Sequence, residues 1–235
     1  MIPSAASIHL HVFAYINAFV LWLNIIAFAI FQGSDSGAGI WFLFAREPLK
    51  ERQRKALATP VKTLWEANET WSVFLVTGIF SAFPVVFYTL VVSFFYPLTL
   101  ALIALVFFGA AFEFYEHTPH EKPSHNRWMW AFVVSCVAIP LLFGDVAGAV
   151  ASGAVHYDFR TGRVTSSYWT TWLTPFTICV GLFAVGICMV LAATFQTVQS
   201  ARAAEAPMLA AFRRRALISG AFTALVGAVA AGLAY

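Results

Sequence analysis

A chain of 235 residues is long enough for one or two soluble domains, but 60% hydrophobic residues against 11% charged ones exclude an ordinary soluble protein. The formal net charge of +3 is small and tracks a membrane topology bias, so there is no case for a nucleic-acid surface. What remains is an all-α, polytopic membrane bundle of about six transmembrane helices, forming a single transmembrane domain over residues 1–235.

About 20 helical residues cross about 30 Å of hydrocarbon, and six apolar stretches approach that length. They run near His9 to Phe31, Trp71 to Val92, Leu98 to Phe112, Trp128 to Val150, Trp169 to Phe195 and Ala216 to Tyr235. The runs are continuous rather than alternating, which disfavours transmembrane strands. The first run has no basic leader and no small-residue cleavage site ahead of it, so it is expected to stay as a span. Of the 14 Lys and Arg, all but Arg160 and Arg163 fall in the first, third and fifth connections. The positive-inside rule then puts the N-terminus outside and those three connections in the cytoplasm. No long linker, low-complexity segment or internal repeat breaks the chain.

Thr59 followed by Pro60 reads as an N-cap hydroxyl and a first-turn proline, so the second helix is expected to begin there. Lys62, Glu66 and Glu69 then share one face, with the two carboxylates about 9 Å and about 14 Å above the helix start. Pro84, in SAFPVVF, frees the Phe80 carbonyl and predicts a kink.

Five acids lie in or beside apolar runs: Asp35, Glu66, Glu69, Glu113 and Asp145. An ionised acid at bilayer depth costs about 2.5 to 3.5 kcal/mol on insertion scales, so each must be paired, protonated or hydrated. The expected topology sends Asp35, Glu66, Glu69 and Glu113, with Asn68, Ser34 and Ser36 nearby, toward the cytoplasmic leaflet, where they would line a hydrated proton path. Taken one at a time, each is better explained by interfacial solvation, with Glu66 paired to Lys62, and it is the four together that favour the path. Asp145 belongs to the outer half of the fourth span, either as an exit group or paired with a polar neighbour.

His9 and His11 stand two apart, pointing away from each other on a helix, so they do not chelate one metal; either alone could be a haem ligand, though interfacial histidine is the simpler reading. His117, His120 and His125 sit in EHTPHEKPSH, which reads as a solvated loop. Cys136, Cys179 and Cys188 have no CxxC spacing and read as small apolar packing groups. Trp128, Trp130, Tyr168, Trp169 and Trp172 read as an interfacial aromatic belt.

The motifs GSDSGAG, LWEANETW, FSAFPVVFYTLVVSFFYPL and GAAFEFYE, in that order, resemble the N-terminal half of subunit II of the cytochrome bd quinol oxidases, over about residues 20 to 116. The family's versions run approximately as DGFDLGVG, WDGNEVW, FAAFPxxYA and GVAFEFR. A weaker echo continues through WLTPFTICVGL and ATFQTVQ. The resemblance implies a haem-free subunit beside a larger subunit I that carries haems b and d and the quinol site and reduces dioxygen to water. It also implies a bacterial or archaeal plasma (inner) membrane, with small single-helix subunits and a structural quinone or lipid as further companions.

By the same resemblance, Glu66 takes the place of a proton-route aspartate, Asp35 that of the second aspartate of the first motif, and Glu113 that of a family acid. Trp65, Asn68, Gly37, Gly39 and Pro84 match motif positions. Gln32, Ala67 and Tyr115 depart from it, standing where the family carries aspartate, glycine and arginine, and the acid lost at Gln32 puts the inner part of the route in question. The chain would correspond to about the N-terminal two-thirds of such a subunit, as a short form or a fragment. A non-conducting assembly scaffold and an independent transporter are the alternatives, the second weakened by the lack of an inverted repeat.

Overall fold

The computed structural model describes residues 5–119 and 121–234, and His120 and the side chains of His9 and His11 lie outside what is described. Seven α-helices carry the fold: α1 Ala5–Phe42, α2 Lys50–Ala82, α3 Pro84–Ser93, α4 Phe95–His117, α5 Pro123–Ala151, α6 Pro175–Arg202 and α7 Ala206–Leu233. A two-stranded antiparallel hairpin, β1 Tyr157–Asp158 and β2 Arg163–Val164, sits in the α5–α6 connection. Among the described residues five helices are long and apolar enough to cross a membrane, and Trp65–Ala82 with Pro84–Ser93 is apolar enough only as a bent pair, a broken span or a re-entrant loop.

α1 changes character along its length. From Val12 to Phe31 its side chains are mostly exposed and apolar, as in a helix that faces lipid. From Gln32 to Phe42 nearly every residue is buried. The small residues of GSDSGAG cause the change, because they let other helices approach the backbone. A Cβ at Gly37 would fall on the Cys188 carbonyl of α6, and one at Gly39 on the Cys136 sulfur of α5. The motif therefore lies inside α1, as a packing surface, where a helix end was expected.

Two other boundaries move. α2 begins at Lys50, so Pro60 is an interior residue, and the Thr59 hydroxyl donates back to the Lys55 carbonyl at 2.8 Å in place of capping. Glu66 and Glu69 thus stand about 24 Å and about 28 Å from the helix start. At Pro84 the helix does more than kink: it stops at Ala82 and restarts at Pro84 with a bend of 119°. The missing proline N–H and its clash with the preceding turn open the break, and Phe83, forced out of helical geometry at φ −137°, still donates to Ile79. α3 lies against the hairpin, with Tyr88 and Tyr157 rings 6.5 Å apart, edge to face.

The sixth element also starts later than its aromatic residues suggest. Trp169 to Trp172 are turn, and α6 opens at Thr174–Pro175 with a reciprocal capping box between Thr174 and Thr177. Trp169 stacks on Tyr96, with centroids 4.5 Å apart, which ties this turn to the start of α4.

The core is a phenylalanine cluster, Phe42, Phe108, Phe112, Phe132 and Phe212, all fully buried among α1, α4, α5 and α7. Polar bonds stitch the end of the bundle that bears the basic connections. Gln196 donates to the Ala56 carbonyl at 2.8 Å, Trp41 to the Met189 carbonyl at 2.8 Å, and Arg52 pairs with Glu205 at 3.0 Å. Those contacts keep the first and fifth connections on one side, as the charge bias requires.

Candidate functional site

α1 and α2 meet through polar side chains in an apolar surround. Asn68, on α2, donates through Nδ2 to Asp35 Oδ2 on α1 at 2.6 Å, and both residues are buried. One turn back along α1, Gln32 reaches the Ser36 hydroxyl at 3.4 Å, and its Oε1 has no partner. Next to Asn68, Glu69 accepts a long bond from the Ser72 hydroxyl at 3.4 Å, while its other oxygen, Oε1, is buried without a partner. Glu69 lies within electrostatic range of Asp35. A buried carboxyl beside a half-buried one whose Oε1 is unpartnered leaves one oxygen carrying its desolvation cost unless a proton or a water meets it.

Gly33 and Gly37 bring Cys188 of α6, and Gly39 brings Cys136 of α5, against the α1 backbone on either side of Asp35, so this stretch of α1 is packed by small groups. Trp65 packs against Gly109 of α4, where an added Cβ would meet its ring at 2.6 Å. The tryptophan thereby sets the spacing between α2 and α4 one turn ahead of Asn68.

The other acids are elsewhere. Glu66 is exposed, and Lys62, expected as its partner, instead donates to Glu116 of α4 at 3.1 Å. Glu113 lies at the last turns of α4, half exposed, 3.5 Å from the His117 imidazole on its own helix. The structure therefore brings Asp35, Asn68 and Glu69 together and leaves Glu66 and Glu113 apart from them. Asp145 is buried at the far end of α5 beside the Thr177 hydroxyl, with Oδ1 unpartnered.

His125 departs from the solvated-loop expectation. It is buried in the first turn of α5, its ring 4.5 Å from Tyr115 and its Nδ1 3.0 Å from the Thr118 carbonyl. Arg54 of α2 stands beside Tyr115, so a cation reaches the position where the family motif has its arginine. Among the described residues no group of three His, Cys, Asp or Glu side chains is placed to hold a metal ion.

Sequence reading missed Arg215. Its guanidinium is buried and donates to the Phe44 carbonyl and to Gln53 Oε1, both at 2.6 Å, locking α7 to the α1–α2 connection. A lone arginine in RRRALISG gives no signal of that, because RRR reads as a solvated interfacial run.

Outside the spans, the hairpin turn is built around an acid. Asp158 accepts from the Arg160 amide at 2.8 Å and from the Thr161 hydroxyl at 2.8 Å, and these bonds hold its carboxyl below the usual range. Gly162, at φ +67°, closes that turn where an L side chain would be strained.

The chain matches the model of the family "Cytochrome bd terminal oxidase subunit II" over residues 13–235. It is 25% identical over 185 residues to the cytochrome bd-I ubiquinol oxidase subunit 2 of Escherichia coli K12, covering 75% of this chain and 47% of that one. It is 31% identical over 121 residues to the cytochrome bd ubiquinol oxidase subunit 2 of Bacillus subtilis, covering 48% of this chain and 34% of that one. The chain thus spans half or less of the length of these relatives. The bd oxidase structure from Geobacillus thermodenitrificans shares the fold, with a TM-score of 0.70 at 23% identity over 91% of this chain and 63% of that one. With a match over nearly its whole length, this multi-span membrane chain belongs to the cytochrome bd terminal oxidase subunit II family.

Proposed function

We propose that this chain is the haem-free membrane subunit of a bd-type oxygen reductase, sitting beside a haem-bearing subunit I and passing protons from the cytoplasm toward it. The partner, with haems b and d, oxidises quinol and reduces dioxygen to water, which consumes protons. The observation that carries this reading is the buried Asn68–Asp35 bond, with Glu69 beside it. In a span, an amide-held carboxyl with an unmet acceptor next to it is a proton-relay arrangement. Glu66, exposed on α2, belongs to the surface that a partner subunit would cover, and Glu113 with His117 provides a titratable pair at the basic end, the first station from the cytoplasm. The carboxyl's job is to take and release a proton; Asn68, which donates to either form, orients it.

A second reading, a non-conducting scaffold, is favoured by the glycine contacts of α1, since helix packing alone accounts for Gly37 and Gly39. Both readings require a haem partner. Tagging the chain, purifying it gently from its native membrane and recording a reduced-minus-oxidised spectrum tests that requirement. Stoichiometric b- and d-type bands with a second large subunit are expected. A colourless protein without a partner would remove the oxidase reading and leave a transporter.

A further inference from the structure

At the basic end, a cavity of about 540 Å³ opens between the α1–α2 connection and helices α6 and α7. We propose that it binds one anionic phospholipid, with the phosphate held by Arg46, Arg214 and Arg215 and an acyl chain lying along Met189, Ile218 and Phe222.

The charge count asks for an anion. Arg215 is 9% exposed, its guanidinium lies 5.3 Å from the Trp41 ring and 5.1 Å from the Phe212 ring, and Nη1 has no hydrogen-bond partner. Its two bonds go to neutral acceptors, the Phe44 carbonyl and the Gln53 amide. Two neighbouring basic side chains at this end do meet acids, Arg52 with Glu205 at 3.0 Å and Lys62 with Glu116 at 3.1 Å, but both are largely exposed, whereas Arg215 is buried. Arg46, Arg214 and Arg215 enter no ion pair among the described residues, and the one acid of the cavity, Glu47, lies 4.0 Å from Lys50. A buried cation without a counter-charge is expensive, and a guanidinium fork matches phosphate oxygens.

The walls ask for an amphiphile. Met189, Ile218 and Phe222 belong to two membrane-spanning helices, and the arginines stand at their basic ends, where headgroups lie. Charge above and hydrocarbon below is the profile of a phospholipid, whereas free phosphate would use only the upper half.

The site is independent of the proton path, so its test needs no turnover. The purified complex, or the chain as it comes from the membrane, is exchanged into mild detergent and titrated with phosphatidylglycerol or phosphatidylcholine under native mass spectrometry. One tightly retained phosphatidylglycerol is expected, with phosphatidylcholine held about tenfold more weakly or worse. The double variant Arg46→Gln/Arg214→Gln keeps the Arg215 bonds that fold the region and should lose that preference, while Ile218→Glu should lose retention of either lipid. Equal retention of both lipids, or an unchanged double variant, overturns the proposal. So does displacement by millimolar inorganic phosphate, which would mark a free-anion site. A carboxylate of a partner chain found in the cavity of the assembled complex would overturn it as well.

Discussion

Asn68 Nδ2 lies 2.6 Å from Asp35 Oδ2, joining α2 to α1 across 33 positions of chain inside an apolar bundle. Among the described residues neither makes another side-chain hydrogen bond, so each satisfies the other inside the bundle. Asn68→Leu removes the donor and leaves a buried carboxyl alone. A loss of about 1 to 3 kcal/mol is expected, read as a lower melting temperature of the purified chain or complex in detergent. Asn68→Gln, which keeps an amide, should recover part of it.

Gly37 and Gly39 make a steric prediction. Gly37→Ala puts a methyl group into the Cys188 backbone carbonyl, which cannot yield as a side-chain tip would, so α1 and α6 must separate. A penalty of about 1 to 3 kcal/mol or more follows. Gly232→Ala is the control, since nothing lies within 4 Å of the added carbon. Thermal stability of the two variants side by side checks this: loss in the first and none in the second.

Trp65 covers Gly109, and its removal opens a hole between α2 and α4. Trp65→Ala is expected to cost about 3 to 5 kcal/mol and to lower the yield of folded chain, measured by size-exclusion chromatography after solubilisation. Trp65→Phe, which still covers part of the glycine, should lose less.

Asp158 supplies a pH prediction at the hairpin. The Arg160 amide, and after it the Thr161 hydroxyl, favours the charged carboxylate, so its folded pKa is depressed. Its contribution to turn order is therefore present above the ordinary carboxylate pKa and lost as pH falls through the depressed value. Carbon-13 titration of the Asp158 carboxyl should show a midpoint below that of the free residue, and Thr161→Ala should move it upward.

The sequence read the fold class through apolar run length, a signal that depends on composition alone. The boundaries it misplaced were those where local cues compete with packing. Thr59–Pro60 has the chemistry of a cap, but the helix runs back to Lys50 because Leu57 and Val61 are both fully buried in the core and hold the turns on either side of Pro60. GSDSGAG has the composition of a loop, yet its glycines are the flat face against which α5 and α6 pack. Pro84 announced a disturbance but could not give its size, which depends on what receives α3. At the site, Asp35 and Asn68 were legible as motif residues; their bond was not, since nothing in one chain's periodicity pairs positions 33 apart. Arg215 was hidden for the same reason, its partners Phe44 and Gln53 lying 171 and 162 positions away, whereas His125 was hidden because a histidine in a polar, proline-bearing run gives no sign that it folds back on Tyr115 and Thr118.

The most direct test of the proton-relay account is Asp35→Asn in the assembled complex, with quinol-driven oxygen consumption and proton uptake measured at fixed haem content. Asparagine has the shape of aspartate and can still accept from Asn68, so assembly and the haem spectrum should be unchanged while turnover and uptake fall by about 100-fold or more. Normal turnover and uptake in a normally assembled Asp35→Asn complex would contradict the relay and leave the Asn68–Asp35 pair as a structural bond between two helices.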